Sequence, residues 1–137
     1  MNAKTGMAIL AGAVVLFVTG YLIFGLALAG FYESNAGTAT GVNREAPQFL
    51  WLILSTLAFA ALLTVVLGWA GAKDVASGLK TAAIFGLLMG LAIDFGFYSM
   101  TNIQNLTITL VNPGGGAIHS GIGGAVIGMM LGRGDSA

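Results

Sequence analysis

The sequence predicts an all-α integral membrane protein, a four-helix bundle with both termini in the cytoplasm. Three observations carry this. Hydrophobic residues make up 57% of the 137 positions and charged residues 7%, against about 25% charged in an average soluble domain. The mean hydropathy is +0.93. The apolar residues fall in four continuous runs, each near the roughly 20 residues that a spanning helix needs. Spanning strands would instead show alternating segments of about 10 residues. At this length the spans form a single transmembrane domain, 1–137.

The first span runs from about Met7 to Tyr32, between Lys4 and Glu33. Its Ala27-Leu28-Ala29 looks like a signal-peptide cleavage site. The apolar run before it exceeds the usual 7–15 residues or so, so it reads as a retained helix. The second span runs from about Phe49 to Gly71, with Pro47 suited to its start. The third covers about 80–100. The fourth covers 106–132 and has two candidate starts. One is near Leu106; the other is Pro113, with Asn112 as N-cap. Basic residues favour the cytoplasmic side. Lys4, Lys73, Lys80 and Arg133 share one side and Arg44 stands alone on the other. The termini and the 72–79 loop are therefore expected inside, in a cell inner membrane. The 33–48 and 101–111 segments are expected outside.

The first and third spans end alike. Gly25-Leu26-Ala27-Leu28 precedes Phe31-Tyr32, and Gly90-Leu91-Ala92-Ile93 precedes Phe97-Tyr98. This fits either a duplicated hairpin or convergence on common membrane residues.

Glycine is the second theme. Gly116, Ser120, Gly124, Gly128 and Gly132 form a four-residue ladder along the fourth span. Gly86 and Gly90 repeat the spacing in the third. Lipid offers little hydrophobic force between helices, and close approach of small-residue faces replaces it. These ridges predict tight packing, either within the bundle or against another subunit.

Asp94 is the one acid deep in a span, where a charge is costly and usually faces the protein interior. Lys80 to Asp94 is 14 residues, about 21 Å of helix. His119 to Arg133 is also 14 residues, so Asp94 and His119 are expected at one height. Tyr98, one turn on, and Ser120 and Asn112 are candidate partners. The arrangement reads as a proton-responsive polar site or as a hydrogen bond that fixes helix register. Phe31, Tyr32, Trp51 and Trp69 read as interface aromatics, or as stacking surfaces for a bound lipid, quinone or pigment.

Several chemistries are excluded. There is no cysteine, so no disulfide or thiolate metal site. A single His and few carboxylates make a poor metal set. Five Lys+Arg balance five Asp+Glu, leaving no basic footprint for nucleic acid. Gly114-Gly115-Gly116 lacks the Lys-Ser/Thr of a phosphate loop. No catalytic constellation is visible, and no cofactor is required.

The chain resembles small four-helix bacterial membrane proteins catalogued as a domain of unknown function. The likeness lies in Phe31-Tyr32, Gly86 and Gly90, Tyr98 followed by Thr101-Asn102, and Ile108-Thr109-Leu110-Val111 leading into the glycine-rich last helix. Family members often place carboxylates near positions held here by Ser99 and Asn112. The resemblance implies the architecture and no activity. The expected function is an accessory or structural subunit that packs through glycine-rich faces against a larger membrane complex. Its partners are lipid and other subunits or itself. The alternative is a small oligomeric transporter or channel-like protein using Asp94 and His119.

Overall fold

A computed structural model describes residues 1–134. It is all helical, with four helices long and apolar enough to cross a membrane. The first span has three pieces: α1 (Ala3–Gly20), a π-helical segment (Tyr21–Ala27) and α2 (Ala29–Ser34). Then come α3 (Phe49–Trp69), α4 (Val75–Met100) and α5 (Leu106–Gly132).

The starts reflect local chemistry. The side chains of Asn2, Asp74 and Asn105 each accept from a backbone N–H in the first turn of α1, α4 and α5, which satisfies donors a helix leaves unpaired. Asp74 thus starts the third span at Val75, ahead of the start near Lys80 expected from hydropathy. The fourth span starts at Leu106. Asn112 is therefore no cap, and Pro113 lies inside the helix, fully buried.

The π-helical segment is the main departure from expectation. The Leu28 N–H bonds the Ile23 carbonyl, five residues back, at 2.8 Å. Inserting such a wider turn rotates the remainder of the span by roughly one residue, about 100°. The likeness between the ends of the first and third spans therefore stops at the sequence. α4 runs unbroken to Met100, and its Tyr98 is 45% exposed. Tyr32, after the irregular turn, points inward.

The helices pack in the order α4, α5, α1, α3. The α4–α5 contact is the most extensive, and the glycine ridges cause it. A Cβ at Gly78 would collide with the Gly124 carbonyl, and one at Gly86 with Ser120. At Gly90 it would lie 2.9 Å from Pro113 Cα, and at Gly128 2.5 Å from the Asp74 carbonyl oxygen. Gly132 abuts the Lys73 carbonyl, whereas Gly116 has ordinary clearance, 3.6 Å from the Gly86 oxygen. On an adjacent ridge Gly123 receives Leu16 of α1, and Gly12 receives Ile127. Both ridges of α5 are thus covered by the chain's own helices. The apolar core, including Ala8, Leu16, Leu63, Leu67 and Ile127, lies where α1, α3 and α5 meet.

One end of the bundle gathers Lys4, Lys73 and Arg133 and is called the basic end. At the other, the loop end, the segment after α2 pairs with the α4–α5 connection. Gly37 N–H bonds the Ile103 carbonyl and Ala39 N–H the Asn102 carbonyl, both at 2.9 Å. A side chain at Gly37 would strike the Asn102 carbonyl, so only glycine allows this approach.

Candidate functional site

The loop end encloses a polar network centred on Asp94. Starting α5 at Leu106 puts Thr109 and Asn112 on one face, three residues apart. That face meets α4 at Asp94, which is 4% exposed. Asn112 Nδ2 donates to one carboxylate oxygen at 2.8 Å. Gln104 Nε2 donates to the other at 3.3 Å and to Thr109 Oγ1 at 2.9 Å. The Thr109 hydroxyl donates to the Asn105 carbonyl at 2.9 Å. From the first span, Tyr32 Oη donates to Asn112 Oδ1 at 2.6 Å. Asn105 Nδ2 donates to Asn35 Oδ1 at 3.2 Å.

The network therefore ties three spans together through one carboxylate. Among the described residues no cation is bonded to Asp94; neutral amides hold it. Among the described residues no buried side-chain N or O lacks a partner, as expected where an unpaired buried polar group costs about 1–3 kcal/mol. The arrangement can hold the three helix ends in register.

The structure separates two residues that the helical heights brought together. His119 does not meet Asp94. It lies on the side of α5 facing α1, where Nε2 bonds the Leu16 carbonyl at 2.8 Å. The Phe24 ring meets it edge-on at 5.4 Å and Phe59 stacks at 6.5 Å. The heights also differ: Asp94 is level with Asn112, and His119 lies seven residues further along α5, about 10 Å nearer the basic end, because Gly132 packs beside Lys73 and not Lys80. Asp94 and Asn112 lie on the α4–α5 seam, and His119 lies on the α1–α5 seam. Ser120 is buried opposite Gly86, two turns below Asp94, and belongs to the packing. Tyr98 stays at the surface. Asn112 joins the site as a bridge.

Of the interface aromatics, Trp51 and Trp69 are 64% and 84% exposed, as membrane-facing residues should be. Phe31 and Tyr32 are half-buried, with rings 5.8 Å apart. Glu33 is exposed. Gln104, Thr109, Asn105 and Asn35 went unrecognised as site residues in the sequence. The signal for Gln104, Asn105 and Thr109 is a density of amide and hydroxyl side chains in 101–112; Asn35, in the 33–48 segment, carries none. Among the described residues no three His, Asp or Glu side chains converge as metal ligands.

The likeness to small four-helix proteins of unknown function rests on short motifs. Compared with known proteins, the chain matches no family model, no curated protein and no solved structure.

Proposed function

We propose that the chain is a multi-pass inner-membrane protein acting as an accessory or structural subunit. Its basic end faces the cytoplasm and its Asp94 network faces outward. The orientation rests on Lys4, Lys73, Lys80 and Arg133 lying at or near one end, with only Arg44 at the other.

The observation that favours a subunit over a conduit is the distribution of polarity. Interior polar side chains cluster at the Asp94 layer. Toward the basic end the interior is closed by Leu16 against Gly123, Ile127 against Gly12, and by Leu63 and Leu67. The buried Thr64 there donates to its own helix, to the Ala60 carbonyl at 2.7 Å. A pathway needs polar groups along its length; below the Asp94 layer Ser120 is packed against Gly86, and Thr64 and His119 are tied to backbone carbonyls, with apolar side chains between them. The expected docking through glycine faces gives way to a different surface. The ridges are filled from within, so the faces left for a partner are apolar and lipid-facing. The start of α3 is one of them, with Phe49 to Leu54 all exposed.

Native mass spectrometry after gentle extraction at native expression tests this. Co-purifying polypeptides support the subunit reading and name the partner. A particle made only of this chain overturns it and favours the alternative, an oligomer with a proton-responsive site. The observation on that side is a buried carboxylate with no cation bonded to it. Proton flux abolished by Asp94→Asn in a folded protein would establish it.

A further inference from the structure

A second polar group lies in the membrane-spanning region, outside the Asp94 network. The carbonyl oxygen of Leu16 can only accept, so His119 Nε2 carries the proton in their 2.8 Å bond. The neutral ring keeps Nδ1 as an acceptor. Among the described residues no donor reaches Nδ1. It is also not enclosed, because no buried side-chain nitrogen among the described residues lacks a partner.

The ring lines a cleft of about 460 Å³ between the π-helical segment and the start of α3. This lies within the roughly 300–1,000 Å³ usual for small-molecule sites. Tyr21, Phe24 and Phe49 supply aromatic walls. Gly20 makes room for the histidine, since a Cβ there would sit 3.2 Å from Nε2. Tyr21 and Phe49 are each 60% exposed, so the cleft opens sideways toward lipid.

A second groove of about 410 Å³ shares Phe17 and Thr56 with the first. It runs between α1 and α3 over Leu10, Val14, Ile53 and Leu57. Its one hydroxyl, on Thr56, is committed to the Leu52 carbonyl at 2.8 Å. Leu10 precedes Gly20 by ten residues, so the groove extends about 15 Å from the histidine toward the basic end. The cavity therefore has an aromatic compartment with one acceptor, reaching from Phe49 to His119 at the middle of α5, and an apolar compartment running on from it along α1 and α3. Those are the shape and polarity of an amphiphile whose ring sits near the bilayer middle with its tail along α1 and α3.

We propose that this cleft binds a membrane-dissolved hydroquinone-type amphiphile: a hydroxyl donates to His119 Nδ1, the ring lies among Tyr21, Phe24 and Phe49, and the tail tracks the α1–α3 groove. The proposal does not depend on the subunit reading, since a ligand can bind the chain with or without a partner.

His119 is the single histidine, so its ring nitrogens can be observed without ambiguity. Protein labelled with ¹⁵N-histidine in nanodiscs is titrated with decylhydroquinone under reducing conditions. The Nδ1 resonance is expected to shift saturably. The dimethyl ether of the same probe, which lacks the donor, is expected to bind about tenfold more weakly and leave Nδ1 unmoved. No shift with the hydroquinone, or equal binding of the ether, overturns the proposal. An equal shift with decanol also overturns it, by showing that the cleft selects a hydroxyl without a ring.

Discussion

The Gly124→Ala substitution probes what holds the bundle together. A methyl group there would lie 2.5 Å from the Gly78 carbonyl oxygen, and closer still to the Ala82 Cβ. Ordinary contact begins at 3.4 Å, so α4 and α5 must part locally by more than about 0.9 Å. Neither obstacle can turn aside, because one is backbone and the other a methyl fixed to it. Overpacking of this kind costs about 1–3 kcal/mol, and the rigid neighbours place it at the upper end. Against this, alanine gains about 0.5–1 kcal/mol over glycine in a helix interior. Gly114→Ala on the same helix is the control, since nothing lies within 4 Å of its added methyl. It should be neutral or stabilising by that last amount. The propensity gain is common to both variants, so they should differ by the overpacking cost alone, about 2–3 kcal/mol. Unfolding by dodecyl sulfate in mixed bicelles, monitored by circular dichroism, reads the difference. Equal stability of the two would refute the claim that the ladder works by close approach of α4 and α5.

Three further outcomes are expected. Asp94→Asn replaces one acceptor oxygen by a donor while Asn112 and Gln104 both donate to the site, so it should destabilise by about 1–3 kcal/mol; a variant as stable as the parent would refute the claim that both amides donate to the carboxylate. Asn105→Ala removes the cap of α5 and the tie to Asn35 and should cost about 0.5–2 kcal/mol, visible as faster amide exchange at Ile108 than elsewhere in α5. At the basic end, the Ser77 backbone N–H holds the Asp74 carboxyl below its ordinary value of 3.8. Its capping contribution is therefore present above that value and lost as pH falls through the lowered one; Asp74→Ala should remove this part of the acid sensitivity in a melting series, and an unchanged series would show that the cap carries none of it.

The membrane character and the four spans were legible because they depend on composition and run length. Any helix crossing lipid must satisfy its own backbone and present apolar side chains, and that pattern needs no knowledge of neighbours. The glycine ladder was also legible as a packing face, since spacing places small residues on one side of a helix. Whether that face met its own chain or another could not be read. It took the positions of Gly78, Ala82 and Leu16 to show the ridges filled from within.

The polar site divides in the same way. Asp94 declared itself by being a lone acid in an apolar run. Its partners did not. Asn112 was ambiguous between cap and ligand until α5 was seen to begin at Leu106. Tyr32 was one of two look-alike tyrosines until the π-helical turn rotated it inward and left Tyr98 outside. His119, expected at the depth of Asp94, lies about two turns nearer the basic end and faces another seam. The sequence by itself determined what lies along each helix, because rise per residue and hydropathy are local properties. The tertiary structure alone decided which faces meet, because a turn widened by one residue, or a helix started at 106 rather than 113, redirects every side chain beyond it.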